Sequence, residues 1–235
     1  MKALLVLVAA IAFAVAPFLS PEFGGFDPGL YPIPQDDPPV QPAGWAFAIW
    51  GVIYLGLLVH AGFGLFRYRD DPAWDRGRPA LIVSLAVGAV WLPVALISAI
   101  GATVLIWIML IAALVSLYRS RSAEPPALAL WPVALYAGWL SAASFVSIGL
   151  MLAGYGVTGE VVAAFIALVL ATGFAAVNVR RLDLWPYGAA VAWGFIGIAA
   201  ANLGGAGMVA LAAGGAALGV IVLTVWRARR MMPFG

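Results

Sequence analysis

Few residues in this chain can do acid–base, metal or nucleophilic chemistry. It has 235 residues, one histidine (His60) and no cysteine. The missing cysteine removes thiolate catalysis, disulfides and cysteine-held metals or clusters. A single histidine cannot give a haem two imidazole ligands, and a zinc site would have to draw on carboxylates, which sit in loops. No Ser–His–carboxylate set and no pair of carboxylates on one helix can be assembled, so the chain is read as a non-enzyme with no cofactor. The glycine-rich string "GGAGMVALAAGG" at 204–215 opens an apolar helix and follows no strand, which is the wrong setting for a phosphate loop. Ionisable groups inside a membrane mark proton and ion paths. Here Glu160 and Asp183 fall at the edges of apolar runs, and His60 lies about two turns from Arg67. Nothing charged sits mid-run, which argues against coupling to protons. His60 reads as an interfacial or interhelical hydrogen-bonding residue rather than a ligand.

What the chain has in quantity is aromatic rings. Ten tryptophans are present, and "PAGWAFAIWGVIYLGLLVH" at 42–60 sets Trp45, Phe47, Trp50 and Tyr54 within ten positions. Trp45, Trp74, Trp131, Trp185 and Trp226 fall near the ends of apolar runs or in a loop, where an interfacial belt explains them. Trp50, Trp91, Trp107, Trp139 and Trp193 fall within runs. A buried indole needs a partner for its N–H and offers a flat face. Several in one bundle can line a slot for a flat, apolar ligand.

The elements that must hold these rings follow from composition. The chain is 65% hydrophobic and 9% charged, with a mean hydropathy of +1.06. Soluble domains carry roughly 25% charged residues. The apolar runs are long and do not alternate, so the fold class is all-α: a polytopic transmembrane helical bundle. About eight runs are long enough for a ~30 Å hydrocarbon core: 3–20, 43–66, 80–98, 100–118, 127–153, 158–179, 185–203 and 206–227. The turn between the third and fourth is confined to Ser98–Gly101. All twelve basic residues then fall on one side: Lys2, the arginines at 67–78, Arg119 and Arg121, Arg180 and Arg181, and those at 227–230. The positive-inside rule makes that side cytoplasmic, with both termini inside. The same rule explains a basic pI of about 9.2 without a nucleic-acid partner.

Span one has features of a signal peptide, with Lys2 and "AVA" at 14–16, but Pro17 at the first mature position favours retention. The connector 21–42 holds Glu22, Asp27, Asp36 and Asp37, no basic residue, and Phe23, Phe26 and Tyr31. It is either an extended tie over the bundle or a lid over a pocket. Gly215 and Gly219 form a GxxxG pair that serves either intrachain packing or a dimer face. "LWPVALYAGWLSAA" at 130–143 echoes "LWPYGAAVAWGFIG" at 184–197, with Pro in the first helical turn of both.

These strings resemble the TspO family, the tryptophan-rich sensory proteins called translocator protein in animals. The family's second helix has a proline-rich entry and a Trp with Tyr four residues on; here these are Pro42, Trp50 and Tyr54. Its third helix carries Asn-x-x-Trp-x-Pro; "GAVWLP" keeps Trp91 and Pro93 and puts Gly88 at the Asn position. Its fifth has Trp and, eight residues later, Asn; here Trp139 and Ser147. Trp107 stands where a fourth-helix Trp is common. The resemblance covers about 1–153 and implies a five-helix bundle there, with 154–235 as a three-helix extension of the kind found in longer bacterial proteins. It implies a multi-pass protein of the bacterial inner (cytoplasmic) membrane that binds flat or rigid apolar molecules (tetrapyrrole, sterol-like or isoprenoid) in a sensory, regulatory or transport role. The ligand-binding residues it implies are Trp50, Tyr54, Trp91, Pro93, Trp107, Trp139 and Ser147. Partners on this reading are membrane lipid and the apolar ligand, with a homodimer or a membrane-complex partner left open. The rival readings are a structural subunit of a larger membrane complex and a transporter not coupled to protons.

Overall fold

The computed structural model describes residues 1–21 and 23–231; Glu22, one of the four connector acids, lies outside them. The described residues are mostly helical and contain no strand. Apolar side chains without polar competition leave the backbone to bond within its own segment, and helix is the result. In chain order the helices are α1 (Lys2–Val15), α2 (Ile49–Phe66), the short α3 (Pro72–Asp75), α4 (Arg78–Ala95), α5 (Ala99–Arg119), the short α6 (Pro126–Ala129), α7 (Trp131–Gly154), α8 (Glu160–Leu182), α9 (Trp185–Ala201) and α10 (Gly207–Met231). α1 runs on through a 3-10 turn at Ala16–Leu19, and α2 is preceded by one at Gly44–Ala48. Eight long helices therefore stand where eight spans are expected. Seven are long and apolar enough to cross a membrane by length and composition, and α9, at 17 residues, is the shorter eighth.

Helix ends obey local chemistry. Asp71 caps α3, its side chain accepting from the backbone N–H of Ala73 and Trp74. The α4–α5 turn comes earlier than the predicted Ser98–Gly101: Pro93 has no N–H to carry α4 on, the helix ends at Ala95, the turn is made at Leu96–Ser98, and the Ser98 hydroxyl accepts from Gly101 N–H to start α5. α8 opens with Glu160 and closes with Arg180 and Arg181, the charge order its dipole favours.

α7 is the central helix. Its spanning window is 78% buried, against 33–44% for the other six candidate spans. α9 packs beside it, and Gly138 permits the approach: a Cβ there would collide with the Tyr187 carbonyl. The Ser141 hydroxyl and the Tyr187 hydroxyl bond across the same seam at 2.8 Å. α7 and α9 start at the same end of the bundle, with Trp131 and Trp185 rings 5.4 Å apart, so the two "LWP" strings make equivalent, touching helix starts.

Contacts between loops sort the chain into two ends. At one, Lys2 reaches Asp75, Trp74 Nε1 donates to Glu124 O, Arg121 donates to Arg181 O and Arg227 holds Asp183. This is the arginine end. At the other, Ile33 N–H donates to Gly154 O, Ala43 N–H to Gly197 O and Asn202 Nδ2 to Pro39 O. This is the connector end.

The arginine end is tightly built. Arg78 is 4% exposed, and its guanidinium donates to the carbonyls of Gly64, Tyr68 and Arg69, satisfying the C-terminal end of α2. Trp74, expected in an interfacial loop, is instead buried, stacked between His60 (5.0 Å) and Tyr68 (4.7 Å). It lies on the short helix α3 of the α2–α4 connection, which folds inward because Arg78 and Trp74 both find backbone carbonyls there. His60 Nδ1 lies 3.0 Å from Leu128 O, a contact between α2 and α6 that fits the interhelical of the two roles read from its position.

Candidate functional site

Aromatic side chains from α1, α2, α4, α7 and the connector converge beneath the connector end. The ring of Trp50 stacks on Tyr54 one turn on, at 5.4 Å and 18°, because i and i+4 share a helix face. Phe13 of α1 meets both edge-on, at 5.7 and 5.1 Å. Trp139 stands edge-on to Trp50 and Phe47, at 6.2 and 5.9 Å. From the connector, Phe23 and Phe26 present edges to Trp91, at 5.2 and 6.3 Å. Edge-to-face contact is the favoured geometry for ring quadrupoles and leaves ring faces free.

Two chambers lie among these rings. The main one, about 390 Å³, is walled by Phe13, Trp50, Tyr54, Trp91 and the connector's Pro21 and Phe23. The second, about 50 Å³, is lined by Trp139 and Ser147 of α7, Gln41 of the connector, and Gly194 and Ile198 of α9. Phe23, Phe47 and Trp91 border both, so three rings form the partition. No charged side chain lines either chamber among the described residues. The polar side-chain groups of the main chamber are the indole N–H of Trp50 and Trp91 and the Tyr54 hydroxyl. Of these, Trp91 N–H is committed to Ala102 O at 2.9 Å.

The connector covers this site and is stitched down. Tyr31 packs where a Cβ on Gly154 would collide with it, and burial, followed by the nearby Tyr155, pushes its hydroxyl pKa up. α9 supplies three further ties: Gly197 O accepts from Ala43 N–H (3.0 Å), Trp193 Nε1 donates to Ala46 O (2.8 Å), and Asn202 Nδ2 donates to Pro39 O (2.8 Å). Gly197 is also a contact point, since a Cβ there would stand 2.8 Å from Ala46 Cβ.

Of the residues singled out from the sequence, Trp50 and Tyr54 line the main chamber, Trp139 and Ser147 the second, and Trp91 both. Pro93 and Trp107 line neither. Pro93 is exposed on α4. Trp107 packs edge-on to Phe145, 5.1 Å away. At the two positions where Asn is absent, the structure shows what stands instead. A Cβ on Gly88 would lie 2.7 Å from Phe13 Cε2, so a ring occupies that space. The Ser147 hydroxyl donates back to Ala143 O at 3.1 Å within its own helix. Phe47, one of the rings at 45–54, borders both chambers, and Phe13, Phe23, Gly194 and Ile198 add to the walls without having been singled out as site residues. Phe23 carried a signal, an apolar ring in an otherwise polar, proline-rich connector; Phe13 sits in a uniformly apolar helix and carried none.

The chain matches the TSPO-like protein family over residues 4–226. Neither the curated proteins nor the solved structures give a match.

Proposed function

Given that the chain belongs to the TSPO-like protein family, we propose that it binds an uncharged, ring-bearing apolar molecule in the chambers beneath the connector. On this reading it works by binding, in a sensory, regulatory or transport role, and not by catalysis. The observation that carries the reading is the aromatic wall of Trp50, Tyr54, Trp91 and Trp139, with no charged side chain lining either chamber among the described residues. Such a wall gains free energy by burying apolar surface and stacking on flat rings. It offers a carboxylate no cation, only the neutral donors of Trp50 and Tyr54, so most of the carboxylate's desolvation would go uncompensated. A neutral sterol, an isoprenoid ring or an esterified tetrapyrrole fits that chemistry better than a free porphyrin acid.

The test is tryptophan-fluorescence quenching in detergent, with a porphyrin dimethyl ester, the matching free diacid and a sterol competitor. Wild type should show saturable quenching by the ester that the sterol displaces, with weaker binding of the diacid. Trp50→Ala should weaken ester binding by roughly 2 kcal/mol, about thirtyfold. Trp185→Ala is the control, because Trp185 is exposed at the arginine end. Quenching that never saturates, or that is equal in all three proteins, overturns the reading.

A further inference from the structure

α8 and α10 pack together along one flank, and a shallow, open groove follows the face of α10 from Gly215 towards the arginine end, where Arg180 of α8 borders it. Gly215 and Gly219 leave it wide: nothing lies within 4 Å of where a Cβ would stand on either. Leu218, Val222 and Leu223 make it apolar, and Arg180, Trp226 and Arg227 border it. The charge there is one-sided. Arg180 and Arg181 finish α8, and Arg227, Arg229 and Arg230 finish α10, with Asp183 as the one carboxylate in the α8–α9 turn. Arg227 already grips both oxygens of Asp183, at 2.5 and 2.6 Å. Arg230 lies over the Trp226 ring, 3.7 Å from its centroid. The other side of the same end is different: Asp70, Asp71 and Asp75 accompany its basic residues, and Lys2 and Arg78 both reach Asp75. The positive excess is therefore local to the groove.

We propose that this groove holds an anionic phospholipid, with an acyl chain along the glycine floor and the phosphate at Arg180. The apolar floor and the cationic end match the two halves of one such molecule. Guanidinium N–H groups pair well with phosphate oxygens, and basic pockets between membrane helices are a recurrent setting for anionic headgroups. A zwitterionic lipid offers the same chain, but its own cation offsets its phosphate. A second copy of this chain would cover the floor, yet a two-fold dimer of like orientation would bring two sets of α10 arginines together. This site is on the outside of the bundle and does not depend on the chambers under the connector.

The test is native mass spectrometry of protein released from nanodiscs of equal phosphatidylglycerol and phosphatidylcholine. Wild type should retain one phosphatidylglycerol in preference to phosphatidylcholine. Arg180→Gln should lower that preference roughly fivefold. Gly219→Leu, whose side chain enters open space and so leaves the fold intact, should fill the floor and lower retention of either lipid. Arg76→Gln, exposed and away from the groove, should match wild type. Equal preference in wild type, Arg180→Gln and Gly219→Leu overturns the proposal. So does a dimer that persists in phosphatidylcholine alone and is abolished by Gly219→Leu, which would assign the groove to a second copy.

Discussion

Gly88 and Phe13 behave as one unit. The family's Asn position is empty of side chain here, and the Phe13 ring stands 2.7 Å from where a Cβ would be. Gly88→Asn should therefore destabilise the protein by about 1–3 kcal/mol through overpacking. Adding Phe13→Ala should recover part of that loss, because the Asn then enters space the ring has left. Thermal unfolding of both single variants and the double variant in detergent checks this; a neutral Gly88→Asn would mean that the ring is not fixed against α4. Arg78 is the second such residue. Its guanidinium satisfies three carbonyls at the end of α2, so Arg78→Met should cost about 3 kcal/mol and loosen the α2–α4 loop, measurable as lower melting temperature and faster amide exchange at 64–70. The contrast between these residues shows what sequence can carry. Trp50 and Tyr54 were readable because i, i+4 spacing puts two rings on one face whatever they pack against. Phe13 was not, because nothing in a uniformly apolar helix marks which side faces a cavity. Trp74 and Arg78 looked like loop residues because their burial depends on backbone carbonyls that only the folded chain brings to them, Glu124 O for Trp74 and Gly64, Tyr68 and Arg69 O for Arg78.

α9 does two jobs at the connector end. It lines the second chamber with Gly194 and Ile198, and it ties down the connector through Gly197, Trp193 and Asn202. The helix boundaries were legible to within a few residues because prolines and glycines punctuate the apolar runs, although Pro93 ends α4 at Ala95, ahead of the predicted turn. The partnership of α9 with the connector was not, since Trp193 and Asn202 find acceptors more than 140 residues away. The absence of cysteine makes this partnership testable. Val40→Cys introduces a lone thiol beside Pro39, at a position 2% exposed when the connector is down. A bulky maleimide should label it slowly. Trp193→Phe, which keeps a ring but loses the N–H, and Asn202→Ala should each raise the labelling rate about fivefold, the effect of losing ~1 kcal/mol of hydrogen bonding. Rates that do not change would mean that the packing of Tyr31 and Val40 holds the connector without help from α9. Because this readout uses no ligand, it stands or falls separately from the binding reading.

Across the whole molecule, the charges divide by end. Every one of the twelve basic residues lies in a segment at the arginine end, beside Asp70, Asp71, Asp75, Glu124 and Asp183, while Asp27, Asp36, Asp37 and Glu160 fall at the other end. The loop contacts from Lys2–Asp75 to Arg227–Asp183 close the arginine end into one surface. Such a distribution fixes orientation in a membrane, because moving arginine across the hydrocarbon core is costly whereas acidic residues count for little. The prediction is that the arginine end faces the cytoplasm. A reporter active only outside the cytoplasm, fused after Gly156 in the α7–α8 turn, should give activity; the same reporter fused after Gly235 should give none. The two positions bracket α8, α9 and α10, an odd number of crossings, so they must report opposite sides if all three helices span. Activity at both would mean that one of the three does not cross, and the 17-residue α9 is the first to examine, since it is held between α7 and α10 rather than by its own length. Inverted results at both positions would mean that orientation is set by something other than the arginines.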